Sequence, residues 1–285
     1  MIIDSHCHAW ERWPYKPPVP DDRSRARVEQ LLNEMDLNGV DQAVVICAQI
    51  DHNPANNRYV ADQYARHPSR LHLFPDIDCS WSPTYHQPGA ADRLNRIADR
   101  WPILKGFTHY LKADDDGSWL YSPEGLAFFW AASERNLIAS IALRPSQQPA
   151  LRRVAEQFPA LPVLCHHLAG LHVSDSGGPG LREVLQSAKL PNIYIKFSGF
   201  AYCSRVNWDF PYTDTHDIIH ALYDAFGAGR MCWGSDYPVV RFYMTYRHSL
   251  EALRTHCSFI SSLDKRKILG ETLSGLLTAA GKKAV

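Results

Sequence analysis

His6 and His8 stand two apart just after the apolar pair Ile2-Ile3. On an extended chain that spacing turns both imidazoles to one side. Two converging imidazoles make half of a transition-metal site, or a pair of donors for a carbonyl or carboxylate. Far along the chain, Asp236 follows Met231-Cys232-Trp233-Gly234-Ser235 and precedes Tyr237-Pro238. A carboxylate where an apolar strand stops is costly to bury unless paired or hydrogen-bonded. Asp236 therefore reads as a metal ligand or general base, weighed against the plainer role of capping a turn. His166 and His167 follow Val163-Leu164-Cys165. Neighbours on a strand face opposite ways, so one of the two enters the site, with His167 preferred and the other packed nearby. Lys196 interrupts the apolar run 193–197, and a buried cation there needs an anion: a substrate carboxylate, Asp4 or Asp236. His109, just past the apolar segment 103–107, is a further candidate substrate contact. The other histidines read as surface or packing residues. No GxSxG elbow and no GxGxxG or GxxxxGK[ST] loop occurs, so a serine hydrolase and a phosphate-loop protein have no support.

These residues need elements to carry them. Short β-branched runs alternate with helical patterns along the whole chain. Strands are expected at 2–6, 42–47, 71–77, 103–107, 137–143, 162–165, 193–197 and 231–234. Between them, helices are expected near 28–38, ended by Gly39, then at 56–67, 90–100, 124–135, 149–157 and 215–226, with another after the Gly-rich loop 176–180. Eight strands separated by helices is the period of a parallel (β/α)8 barrel, an α/β fold of about 250 residues. One barrel over residues 1–285 is the expected organisation. In such a barrel the site lies at the C-terminal strand ends, where the candidate residues all fall.

Composition sets the context. The chain has 285 residues, 45% hydrophobic and 21% charged, with thirty basic and thirty acidic side chains. Such a balance offers no global field to draw nucleic acid or an anionic membrane. No apolar run approaches the roughly 20 residues of a spanning helix. Seven scattered cysteines without a CxxC pair suggest reduced thiols and a cytoplasmic protein. A small-molecule substrate is the expected partner, and the sequence is compatible with a homo-oligomer.

Taken together, the motifs resemble the amidohydrolase superfamily, in particular its lactonase and decarboxylase-like branch with pyrone-dicarboxylate and sugar lactonases. The matching pieces are Ile3-Asp4-Ser5-His6-Cys7-His8, Leu104-Lys105-Gly106, 163–168, Ile195-Lys196-Phe197-Ser198-Gly199, and Trp233-Gly234-Ser235-Asp236-Tyr237-Pro238. The resemblance spans essentially the whole chain and implies a hydrolase with a TIM barrel. Strand five ends Ala142-Leu143-Arg144-Pro145, without the histidine typical of mononuclear metal-dependent members. A two-metal site is therefore not expected. The resemblance leaves either one divalent ion, zinc, on His6, His8 and Asp236, or a metal-free site, with no organic cofactor. Thr108 stands where many lactonases of this branch carry arginine, which weakens the expectation of a dicarboxylate. The implied reaction is opening of a lactone or ester. In it Asp236 is the general base, His167 polarises the carbonyl, and Lys196, His166 and His109 contact substrate. The alternative is metal-dependent decarboxylation of an aromatic or enol acid. Specificity is expected in the aromatic-rich loops 10–20, 81–89, 112–121 and 202–212, which suit a ring-containing substrate.

Overall fold

The computed structural model describes residues 1–16 and 19–281; Pro17 and Pro18 of the first specificity loop lie outside the described residues. Eight parallel strands appear in the expected order: β1 (Ile3–Cys7), β2 (Gln42–Ile46), β3 (Leu71–Phe74), β4 (Gly106–Tyr110), β5 (Ile138–Ala142), β6 (Val163–Cys165), β7 (Ile193–Phe197) and β8 (Met231–Trp233). They pair in sequence as β1-β2-β3 and β4-β5-β6-β7-β8. Two seams join these arcs into a barrel. At one, Thr108 N donates to Pro75 O and Ile77 N to Thr108 O, 2.9 and 3.1 Å. At the other, Asp236 N donates to His6 O and His8 N to Tyr237 O, 2.7 and 2.6 Å.

Helices α1 (Val28–Asn38), α2 (Asn56–Arg66), α3 (Ala90–Arg100), α4 (Pro123–Glu134), α5 (Gln148–Gln157) and α6 (Pro179–Ser187) each follow one strand. After β7 come α7 (Phe200–Cys203) and α8 (His216–Phe226); after β8 come α9 (Tyr246–Glu251), α10 (Ser262–Arg266) and α11 (Thr272–Ala279). Each barrel helix turns an apolar stripe inward, as Val28, Leu31 and Met35 do on α1, which Gly39 ends at φ 66°. Outward-facing strand residues such as Phe107, Ile141, Ile195 and Met231 pack against these stripes. Inside the barrel, Ile3, Val44, Ile46, Phe74, Ile138, Leu164 and Cys232 form a separate apolar layer, and Leu273 and Leu277 of α11 plug it from below. Among the described residues no helix is long and apolar enough to cross a membrane.

Two expectations need correction. Strand four begins three residues later than its apolar start suggested: Ile103 is exposed and Leu104 donates to Trp101 O in a turn. Lys105 thus precedes the strand and its Nζ donates to Ala280 O near the barrel floor. His109 consequently lies within β4 rather than past it.

The first strand also breaks its alternation. Ile3 lies in the interior layer, yet His6 and His8 face the interior too, which strict period-two alternation forbids. The register of β1 against β2 shifts between Asp4 and Cys7, and this irregularity resets the phase. Asp4 fills the resulting position. Its carboxylate accepts from His6 N (3.0 Å), Ser235 N (2.9 Å), Ser235 Oγ (2.5 Å) and Tyr246 OH (3.0 Å), tying β1 to the end of β8 and to α9. Burial pushes its pKa up to about 6, against the pull of these donors. Asp4→Ala leaves four buried donors unpaired and should cost about 3–5 kcal/mol of unfolding free energy in urea titrations near neutral pH. A loss below about 1 kcal/mol would show that Asp4 does not hold the seam.

Candidate active site

The site forms where the upper ends of β1, β5, β6, β7 and β8 meet. Asp236 sits one turn past β8 with φ 59°, a left-handed backbone that aspartate tolerates better than most residues. The hydrogen bond from its amide to His6 O fixes this turn. Tyr202 of α7 donates to Oδ2 at 2.5 Å. The other oxygen, Oδ1, faces three imidazole nitrogens: His8 Nε2 at 3.4 Å, His6 Nε2 at 3.6 Å and His167 Nε2 at 3.9 Å. Close packing sets this distance. A Cβ on Gly234 would lie 2.8 Å from His6 Cβ, and Gly199, at φ 72°, would place one 2.5 Å from His167 Cβ.

Both histidines after β6 enter. His166 continues the inward parity of Leu164, while His167, Leu168 and Ala169 all take positive φ and turn the chain sharply back over the barrel. The alternation argument fails for His167 because the strand has already ended at Cys165. His6 stands 4.5 Å from His166 and 4.4 Å from His167, ring centre to ring centre. His167 Nδ1 meets Ser198 Oγ at 3.0 Å.

Lys196 is fully buried beneath this group. Its Nζ lies 3.0 Å from His6 Nδ1 and donates to Ser140 Oγ at 2.7 Å, and Ser140 Oγ in turn lies 2.6 Å from His166 Nε2. The carboxylate partner expected for Lys196 is thus replaced by an imidazole and a hydroxyl; Asp4 is engaged elsewhere. Burial lowers the Lys196 pKa to about 7. Burial, with Lys196 and the other imidazoles, holds His6 and His166 well below the ordinary histidine value. Burial also takes His167 down to about 4, against the opposing pull of Asp236. For Asp236 burial acts upward but is outweighed by His167, by His8 and by the Tyr202 hydrogen bond, so its pKa falls. Near neutral pH the site therefore holds neutral imidazoles at His6, His166 and His167 beside the Asp236 carboxylate.

His109 is not among them. Its parity on β4 matches Phe107 and turns it outward toward α4, where its ring lies near Phe128 and is stacked with His86 and Trp119. Its Nδ1 bonds to Ile77 O at 3.0 Å. Four further residues border the site: Trp10 and Tyr202 open two of the aromatic-rich loops expected to set specificity, whereas Ser140 and Tyr110 carried no signal that singled them out. Ser140 is an ordinary residue in sequence, and nothing there points Tyr202 at Asp236 in particular. Tyr110 takes the inward parity of β4 and meets the His166 ring edge-on, at 4.9 Å. Trp10 stacks on His8 at 4.9 Å, its Nε1 held by Ala48 O.

The donor set fits a divalent ion. His8 Nδ1 donates to Ile46 O at 2.7 Å, which leaves the Nε2 lone pair pointing at His6 and Asp236. One ligand atom from each of His6, His8 and Asp236 lies within 4.8 Å of the others, as it does for His6, His166 and His167. His166 Nδ1 is buried without a partner. Neutral imidazoles with one carboxylate are the ligand types zinc takes in catalytic sites.

A sequence model of the amidohydrolase family matches residues 3–272. The chain belongs to this family. Among relatives of this amidohydrolase is an L-fucono-1,5-lactonase of Burkholderia ambifaria, 26% identical over 248 residues, covering 84% of this chain and 81% of the relative. An amidohydrolase from Burkholderia multivorans, crystallised with bound zinc, superposes with TM-score 0.78 at 17% identity over 98% of this chain and 99% of that one. A probable 2-pyrone-4,6-dicarboxylic acid hydrolase from Acinetobacter baumannii, crystallised with citric acid, gives TM-score 0.74 at 16% identity over 97% and 99%. These structural likenesses support the TIM-barrel fold.

The depressed histidines make a sign-definite prediction for the metal-free protein. In the unfolded chain they bind protons near pH 6.5, whereas folded His167 does so only near 4. The unfolded state therefore binds more protons in this window, and stability falls as pH drops from about 6.5 toward 4. Urea denaturation of chelator-treated protein should lose several kcal/mol between pH 7 and 5. Replacing His167 by Gln should reduce that loss, and an unchanged slope would contradict the assignment.

Proposed function

We propose that this amidohydrolase opens a lactone or ester bond in a small oxygenated, ring-containing metabolite, with Asp236 as general base. The observation that carries the reading is the division of the Asp236 carboxylate. Tyr202 occupies one oxygen, and the other is presented to His6, His8 and His167 at 3.4–3.9 Å. Its lowered pKa keeps it ionised and able to accept a proton from water. The water oxygen adds to the carbonyl as its proton passes to Oδ1. The tetrahedral oxyanion then collapses, the ring C–O bond breaks, and the departing alkoxide recovers the proton from Asp236. His167, neutral above about pH 4, offers a ring N–H to the carbonyl oxygen without adding a full charge. Lys196 sits below and orients His6 and Ser140.

His6, His8 and Asp236 would hold a single zinc ion. Bound there, zinc would polarise the carbonyl and lower the pKa of water. The zinc-bound structural neighbour and the L-fucono-1,5-lactonase relative support this choice of metal and reaction. The same reading takes residues 1–285 as one barrel in a reducing cytoplasm, in keeping with seven buried cysteines, all free thiols.

Metal analysis of purified protein, paired with a panel of small lactones before and after chelation, tests the proposal. About one zinc per chain is expected, with lactone opening lost on chelation and restored by zinc. Asp236→Asn should lower kcat/KM by about a thousandfold while thermal unfolding stays cooperative. Release of carbon dioxide from aromatic acids with no lactone opened would favour decarboxylation instead. Near-normal turnover by the asparagine variant would remove Asp236 from its role.

A further inference from the structure

A cavity of about 490 Å³ adjoins the site and shares His167 and Tyr202 with it as a wall. Both side chains approach Asp236, so a molecule reacting there extends naturally into this space. The opposite wall starts at the end of β5, with Ala142, Leu143 and Arg144. Among the described residues, Arg144 is the one of permanent charge lining the cavity, and no acidic residue lines it. The nearby carboxylates are engaged: Asp115 with Tyr85, His86 and the amide of Gly117, and Asp175 with the amide of His172. Among the described residues no carboxylate pairs with Arg144 at ion-pair distance.

The backbone that carries Arg144 is fixed. Gln147 is buried; its Oε1 accepts from Arg144 N at 2.8 Å, and its Nε2 donates to Lys112 O and Asp115 O at 3.0 and 2.6 Å. Gly170, at φ 70°, packs so closely that a Cβ would lie 2.6 Å from Leu143 O. Arg144 thus stands, exposed, on a clamped strand end at the rim of a space otherwise lined by aliphatic and neutral polar groups. A planar guanidinium with free donors in such a place matches a carboxylate by geometry as well as charge.

We infer that this cavity is the substituent subsite and that Arg144 selects a lactone whose ring bears a carboxylate away from the reacting carbonyl. The inference rests on the lactone-opening reading and narrows it. Charge dictates the orientation. Asp236 repels the carboxylate, Arg144 attracts it, and the carbonyl is left beside the base. The leucines that line the cavity receive the ring carbons between them.

The test compares 5-oxotetrahydrofuran-2-carboxylate with its carboxamide in wild type, R144Q and R144K, alongside calorimetric binding of the non-hydrolysable tetrahydrofuran-2-carboxylate. The wild type should prefer the acid. R144Q should lower kcat/KM for the acid at least tenfold more than for the amide, chiefly through KM, and weaken binding of the analogue. R144K should recover part of the loss. An equal effect on acid and amide, or analogue binding that ignores the substitution, overturns the subsite even if lactones are opened. Arginine-dependent binding of the analogue with no lactone opened leaves the subsite standing and removes the lactone reading.

Discussion

The join between the first and last strands is the constraint on which the site depends. Residues about as far apart as the chain allows become hydrogen-bonded neighbours there, Asp236 N to His6 O and His8 N to Tyr237 O. The bonds that close the barrel are therefore the bonds that align its two imidazoles with its carboxylate. Asp4 sits behind this join and takes donors from both sides of it. Because the phase of β1 resets at the same place, the apolar Ile3 below and the imidazoles above can all face inward. A slip of one residue would send His6 and His8 into the helix layer.

Electrostatics follow from that crowding. Four imidazoles and a lysine surround one carboxylate in a space with little solvent, and they cannot all carry charge. The structure resolves this by keeping His6, His166 and His167 neutral, by fixing the His8 ring on Ile46 O, and by pinning Asp236 with Tyr202. Lys196 with its pKa near 7 marks the remaining tension, since its nearest partners, His6 and Ser140, are neutral. Neutral nitrogen lone pairs beside an ionised oxygen can accept either a cation or the protons of a reacting water. That dual capacity accounts for the choice between zinc and unaided base chemistry that the sequence leaves open.

Much of this is legible in the sequence, for definable reasons. The βα period and the apolar strands are local signals, and β7 and α3 fall on the residues expected. HxH, the paired histidines and Asp236 are legible because titratable residues directly after apolar strands are rare unless used. What escapes depends on parity and on contacts between distant segments. His109 lies one position from the inward face, so an error of three residues in the start of β4 hid its direction. His167 enters through a run of positive φ that no alternation rule anticipates. Tyr202 and Ser140 matter only because other strands bring Asp236, Lys196 and His166 to them.

The barrel divides its labour around the rim. β1, β6, β7 and β8 bring the imidazoles, the lysine and the carboxylate and β5 the Ser140 hydroxyl, whereas β2, β3 and β4 bring a carbonyl, a structural aspartate and aromatic rings. Asp76 after β3 spends its carboxylate on Gln49 N and Trp81 Nε1, at 2.8 and 2.7 Å, which sets the Trp81 ring against Tyr110. Tyr110 in turn meets His166, and on β1's side Trp10 meets His8. The chemical arc is thereby faced with flat apolar surface rather than with further charge. A polar group placed there would compete for Asp236; an aromatic ring cannot, and still limits the water that reaches its carboxylate.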